Sequence, residues 1–379
     1  MLGTVRSGDS QAAVQAALAQ LRMHFVAAGA EPLDLPHLFA GDMLLDLYGE
    51  DLRARAFVFA GAGQNELSLR PDFTVPVATA HGAQGWARTA AYTYHGPVFR
   101  RQPEDATRPV EYLQAGIERF GDRDPVAAEI AVLTQMRDGL AALGVRDHQI
   151  WIGDLSIIVA LLGALDMPEH RRRALQRHLW RPRRFQDLLR RAVAPVPPPP
   201  PVARLLETTP ADRRAAIDAI GEPIGLRRPE DVLERLSRLA TRAADMRMPP
   251  GDAALIEQVL AVSGPPEHAL RALRRIAGSA RVDIGAALDR FDRRIALMDE
   301  AGFDPGGITF DAAFGRNLEY YDGFVFEIRA AGGGDHPPLA GGGRYDAMTT
   351  RLGAPAPVPA VGGIIRPEAA LQAAQELAS

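Results

Sequence analysis

Cysteine is absent from the 379-residue chain, which removes disulfides, thiolate zinc sites, iron–sulfur ligation and a cysteine nucleophile together. Lysine is absent too, all 43 basic residues being arginine. Without a Schiff-base, P-loop or kinase strand lysine, pyridoxal-phosphate enzymes, P-loop NTPases and protein kinases are excluded. No run of about 18 apolar residues occurs, and no basic start leads into an apolar stretch, so neither a membrane span nor an export signal is expected and the expected address is cytoplasmic. The nine histidines contain no i, i+4 pair with an acid between, so neither a metal nor any other cofactor is expected. A net charge of −4 argues against a wholly basic nucleic-acid binder.

What is present is a chain with 47% hydrophobic residues, long enough for two or three domains. Apolar residues at helical spacing predict a helix over 9–29. Short alternating runs at Ala56–Ala60 and Leu67–Arg70, separated by Gly61-Ala62-Gly63 and Asn65, predict a hairpin. Ala91–His95 and Tyr112–Ile117 are strand candidates around a polar loop from Arg100 to Pro109, followed by a helix from Pro125 to Leu143 and a strand from His148 to Ile152. Then come arginine-rich helices, a proline run at Pro197–Pro201 read as a stiff linker, and further helices, before strands return from Ile308 to Phe326. The expected fold class is α+β, an antiparallel sheet flanked by helices, formed by 1–155 and 302–379 and split by a helical insertion over 156–301.

Four segments carry chemistry-bearing residues. Arg70-Pro71-Asp72-Phe73-Thr74 sets a carboxylate beside a hydroxyl, which suits an amino group or, more plainly, a helix N-cap. As a strand, Tyr112-Leu113-Gln114-Ala115-Gly116-Ile117-Glu118 puts Tyr112, Gln114, Gly116 and Glu118 on one face. Such a face suits a polar ligand with donors, Gly116 leaving room for it, or a solvated sheet. Phe314-Gly315-Arg316-Asn317-Leu318-Glu319-Tyr320-Tyr321 and Gly341-Gly342-Gly343-Arg344-Tyr345-Asp346 complete the set. Glycines beside arginine let a guanidinium and backbone amides approach an anion, although a glycine triplet also suits a hairpin turn.

In this order the segments resemble the catalytic domain of class II histidyl-tRNA synthetases, over about 10–155 and 300–375. Arg316–Tyr321 and Gly342–Asp346 resemble that family's two histidine-specific motifs. The resemblance implies a histidine pocket lined by Asp72, Thr74, Arg100, Gln114, Glu118, Arg316, Tyr320 and Tyr321, with acceptors at the amine and imidazole and Arg316 at the carboxylate. Pro32–Leu47 resembles the first class II motif, implying a dimer through residues 32–47 with Pro36 as its signature proline.

The departures concern ATP. Gln102 and Val110 stand where a working synthetase has a glutamate and an arginine, and Ala369 stands at the ATP-stacking arginine, with Arg366 three residues earlier. Adenylation needs positive charge placed on the α-phosphate, and losing such donors costs orders of magnitude in rate. No C-terminal anticodon-binding domain is expected either. A core of this kind resembles the regulatory subunits of short-form ATP phosphoribosyltransferase. That resemblance implies a non-catalytic chain, a short catalytic subunit as partner, histidine as effector and a place at the first step of histidine biosynthesis. Two alternatives stay open: an amino-acid-activating enzyme like a truncated synthetase, and an RNA-binding module using the nine arginines between Arg171 and Arg191 with Trp180 and Phe185.

Overall fold

The structure, a computed structural model, describes residues 7–41, 54–61, 66–102, 108–194, 199–219, 228–243, 247–315, 320–332 and 337–378. Along the chain run α1 (Gly8–Ala27), β1 (Glu31–Pro32), β2 (Leu38–Ala40), β3 (Val58–Ala60), β4 (Glu66–Leu69), α2 (Thr74–Gln84), β5 (Ala90–Phe99), β6 (Glu111–Phe120), α3 (Pro125–Ala142), β7 (His148–Asp154) and α4 (Leu155–Ala164). Next come α5 (Glu169–Arg177), α6 (Pro182–Val193), α7 (Pro200–Glu207), α8 (Pro210–Asp218), α9 (Pro229–Ala243) and α10 (Pro250–Leu260). The chain finishes with β8 (Ser263–Gly264), α11 (Pro266–Ala280), α12 (Gly285–Glu300), β9 (Ile308–Asp311), β10 (Phe324–Ala330), β11 (Ala340–Arg344), α13 (Asp346–Arg351), β12 (Ala360–Ile365) and α14 (Pro367–Ala378).

Nine strands form one sheet in the order β1-β5-β6-β12-β11-β10-β7-β9-β8. Among the described residues only β1–β5 and β7–β9 pair in parallel; every other pairing is antiparallel. This is the expected α+β architecture. The predicted hairpin also forms, β3 and β4 pairing antiparallel in a separate three-stranded sheet with β2.

Burial periodicity explains how the helices attach. On α1, Val14, Ala17, Leu18, Leu21 and Phe25 are buried, a stripe at three- and four-residue spacing. The start of α3 is set by Pro125 in its first turn and by the Asp124 carboxylate, which accepts from the Ala127 N–H. Side-chain alternation then divides the sheet. Gly363 faces Met136 of α3, and Ile365 lies by Gly139 of α3 and Leu21 of α1, so odd-numbered β12 residues turn toward these helices. Even-numbered ones turn to the opposite face, together with Glu118 and Gly116 of β6.

The chain divides into two compact units, one of 1–164 and 258–379 and one of 165–257. The helical unit is therefore narrower than the expected 156–301. The ends of that range pack as parts of the sheet-containing unit: α4 against β10, α11 against β9, and α12 against α3. β8 moreover pairs with β9. Within 165–257, Leu175, Phe185, Leu189 and Ala192 are buried, and Thr209 and Asp212 make a reciprocal capping box at the start of α8. The proline run needs a correction as well. Pro200 and Pro201 form the first turn of α7, where a missing N–H leaves no helical bond unmade, rather than continuing a linker.

Candidate functional site

Glu118 is the centre of the site. Its side chain is buried on the middle of β6, and three hydroxyls donate to it: Thr74 Oγ1 at 3.0 Å and Tyr94 Oη at 3.0 Å to Oε1, and Tyr345 Oη at 2.5 Å to Oε2. Each donor is placed by a different element. Thr74 opens α2, Tyr94 lies on β5 and Tyr345 follows β11 directly. Asp72 Oδ1 accepts from the Thr74 N–H at 3.1 Å, although the N-cap position itself is Phe73, while the Thr74 hydroxyl turns to Glu118.

Glycines make the arrangement possible. A Cβ at Gly362, which pairs with Glu118 across β6 and β12, would collide with the Glu118 carboxylate, so no other residue fits there without displacing it. Gly116 serves differently from expectation. The space it leaves is taken by the Tyr94 phenol, whose oxygen would lie 2.7 Å from an added Cβ. Tyr94 in turn stacks on Phe73, ring centroids 4.4 Å apart.

The other candidates gather around this centre to different degrees. Arg100 donates to the Pro71 carbonyl at 2.6 Å and pairs with Asp72 at 3.4 Å. The Tyr320 and Tyr321 hydroxyls meet at 3.5 Å, and Tyr320 packs edge-on against Tyr345. Burial, together with the nearby charges of Asp72 and Glu118, pushes both phenols up, so they remain neutral donors. Gln114 is buried on the same strand, and its Oε1 has no donor among the described residues. Arg316 lies outside the described residues.

Arg344 does meet carboxylates, but they belong to the chain itself. It ends β11 on the α3 side, where its guanidinium donates to Glu129, to Asp346 at 2.9 Å and to the Pro125 carbonyl. Arg294 of α12 donates to the same Glu129 and to Asp154. Burial alone would lower the Arg294 pKa, but the Asp154 and Glu129 carboxylates raise it and hold it charged. Two residues at this centre were not assigned to the site from the sequence: Tyr94, inside the Ala91–His95 strand, and Tyr345, inside the Gly341–Asp346 string. The alternation of Arg344 and Tyr345 at a strand end, one to each face, was the signal available.

Burial pushes the Glu118 carboxyl up to about 7, although its bonds from Tyr345, Tyr94 and Thr74 favour the anion. Because the folded state holds this proton more tightly than the unfolded chain does, the stabilisation is full below about pH 4.5 and is lost as pH rises to about 7. Buried His81 and half-buried His148 have lowered pKa values and work in the opposite sense, so the check is a difference. The unfolding free energy of wild type minus that of Glu118→Gln should fall by about 2–3 kcal/mol between pH 5 and 7.5. A difference that stays constant over that range contradicts the assignment.

Comparison with known proteins bears on what such a site belongs to. The histidyl-tRNA synthetase family profile matches residues 8–247 and 227–369. The ATP phosphoribosyltransferase regulatory subunit of Mesorhizobium japonicum is 36% identical over 352 residues, covering 89% of this chain and 92% of that relative. This chain belongs to the ATP phosphoribosyltransferase regulatory subunit family. The Agrobacterium fabrum regulatory subunit agrees, 34% identical over 90% of this chain and 92% of its own. Among solved structures, an ATP phosphoribosyltransferase regulatory subunit/histidyl-tRNA synthetase from Bacillus halodurans aligns at a TM-score of 0.67 and 20% identity, covering 98% of this chain and 82% of that one, which shows a shared fold.

Membership in a regulatory family implies a catalytic ATP phosphoribosyltransferase as partner, and it fits the residues at the former ATP positions. Ala369 sits on α14 without a charge to offer. Arg366 does not replace it there, since its guanidinium donates to the Pro338 carbonyl and Pro367 starts the helix. Among the described residues no helix is long and apolar enough to cross a membrane, and no group of three or more acidic, histidine or cysteine side chains is arranged to hold a metal.

Proposed function

We propose that this chain is the histidine sensor of a short-form ATP phosphoribosyltransferase: histidine binds at the Glu118 site, and its binding is coupled to the activity of the catalytic subunit at the first step of histidine biosynthesis. The observation that carries this reading is a pair of buried acceptors on one strand, the Glu118 carboxylate and the Gln114 Oε1, which has no donor among the described residues. An acceptor buried without a donor costs about 1–3 kcal/mol, and a ligand amine or ring N–H relieves that cost. Histidine brings both donors in one small zwitterion. Asp72 and Thr74 extend the acceptor set, Tyr320 and Tyr321 close one side, and Arg100 and Arg316 match the carboxylate, the last by resemblance alone. Sensing of this kind is a coupling free energy between two sites, so the catalytic subunit's substrates must alter histidine affinity as much as histidine alters theirs.

Calorimetric titration of L-histidine into the purified chain tests the reading. One site per chain is expected, with histamine, which lacks the carboxylate, binding more weakly. Absence of heat and of any thermal stabilisation at millimolar histidine contradicts it.

Pairing of two copies through residues 32–47 is part of the same proposal. Its support is an apolar surface on that side of the unit: Leu38 and Met23 are exposed, and an open groove runs between α1 and β5, lined by Leu18, Met23, Val26, Pro32 and His95. An exposed apolar patch of this kind suits a partner surface, and a two-fold pairing is the default for a second copy. Light scattering should give a dimer or a multiple of it for wild type and a smaller species for Met23→Glu with Leu38→Glu. Identical masses for the two proteins exclude this face.

A further inference from the structure

The family's activity leaves one segment of the helical unit unexplained. From Glu169 to Arg191 nine arginines face only two carboxylates. The whole unit of 165–257 holds 18 arginines against 13 acidic residues, a net of +5, whereas the rest of the chain holds 25 against 34, a net of −9. An overall charge of −4 therefore conceals a basic unit and an acidic one. Use of arginine for every basic residue runs through the whole chain, so it does not account for this segregation.

The excess is displayed at the surface. Arg173 and Arg177 of α5 are exposed four residues apart, and on α6 Arg183 with Arg190 and Arg184 with Arg191 are exposed seven apart, so each helix presents a charged stripe. Pairing within the unit neutralises little of it. Arg172 and Arg173 share Glu169, and Arg184, Arg190 and Arg191 all share Asp187, while Arg177 and Arg183 make no ion pair among the described residues. Exposed pairs of this sort are worth about 0–1 kcal/mol, so exchanging an internal carboxylate for one on a partner costs little.

The neighbouring aromatics decide between kinds of partner. Gripping single-stranded nucleic acid needs open ring faces on which bases stack. Phe185 is fully buried, and one face of the partly buried Trp180 ring is covered by its own neighbour, the Arg181 guanidinium lying 3.9 Å from its centroid. What remains is a set of planar forks already holding carboxylates, the geometry arginine uses for acidic side chains.

We propose that the arginine stripes of α5 and α6 are the docking surface for a carboxylate-rich face of the catalytic subunit. This rests on the reading of the chain as a regulatory subunit. The stripes steer the encounter through their field and then exchange Glu169 and Asp187 for carboxylates of the partner.

The test is the rate of association with the purified catalytic subunit, measured against salt for wild type and for R177Q/R183Q/R190Q/R191Q. Glutamine favours helix, and none of the four side chains belongs to the Glu118 site, so histidine binding should persist and report a folded variant. At low salt the variant should associate at least about tenfold more slowly, and its rate should respond less to added salt. Equal rates and equal salt responses overturn the proposal. Should the variant lose histidine binding by misfolding, polyglutamate is added to the wild-type reaction instead: slower association supports the surface, and an unchanged rate overturns it. Tight, salt-sensitive binding of duplex RNA that competes with the catalytic subunit would overturn it too, assigning the stripes to nucleic acid. If wild type forms no complex at any salt concentration, the reading as a regulatory subunit fails first, and this inference falls with it.

Discussion

Arg294→Leu is expected to destabilise the sheet-containing unit by about 3–5 kcal/mol, the usual cost of removing one partner from a buried ionic network. Arg294 is 2% exposed and bridges two carboxylates brought from distant parts of the chain, Glu129 of α3 and Asp154 at the end of β7. Leucine matches much of its apolar volume but supplies no charge. Glu129 would keep Arg344, so the orphan is chiefly Asp154, left among the described residues with the Ser156 N–H as its donor. Arg329→Ala is the internal control, since Arg329 pairs with Glu327 at the surface and its loss should cost well under about 1 kcal/mol. Chemical denaturation of the two variants checks the ranking, and equal midpoints would contradict the structural role given to Arg294.

Glu118→Gln should weaken histidine binding about a hundredfold, close to 2.7 kcal/mol, while the chain stays folded. The amide is nearly isosteric and still accepts from Thr74 and Tyr94, but its NH2 group takes the place of the oxygen to which Tyr345 donates. The loss is therefore electrostatic: the imidazole N–H meets a neutral amide instead of a buried carboxylate. The variant's own stability should rise at neutral pH, because a buried ionisable group has been replaced by one that carries no charge. Calorimetry at pH 7.5 reads both effects, and unchanged affinity would move the histidine site elsewhere.

How much of this was legible in the sequence depended on the range of the interaction. Local signals sufficed for α1, for the β3–β4 hairpin and for the polar face of β6, because helical spacing, turn glycines and alternation act within a few residues. The strands β5 and β6 nevertheless run to Phe99 and Phe120, past the expected His95 and Ile117, since pairing across the hairpin extends order that composition does not mark. What joins Tyr94, Thr74 and Tyr345 to Glu118 is register among β5, β6, β12 and β11, and no spacing in one dimension reveals it. The same holds for Arg344, whose glycine-rich setting suggested an anion site until the sheet turned it toward Glu129. The helical unit was drawn too wide for a related reason. Helices α4, α11 and α12 look like their helical neighbours in composition, and only their apolar faces, buried on the sheet-containing unit, assign them to the core.

Family membership and geometry converge on a chain that regulates rather than catalyses. By resemblance, Gln102, Val110 and Ala369 stand at positions that serve ATP in a synthetase, and the proposed histidine acceptors are Glu118, Gln114 and Asp72.

The most direct test is phosphoribosyl transfer by the short catalytic subunit, assayed with and without this chain and across a histidine titration, alongside ATP–pyrophosphate exchange by the chain alone. Activity that rises when the chain is added and falls with histidine, with inhibition lost in Glu118→Gln and no exchange, is the result the account predicts. Histidine-dependent exchange by the isolated chain without any stimulation of the catalytic subunit would contradict it.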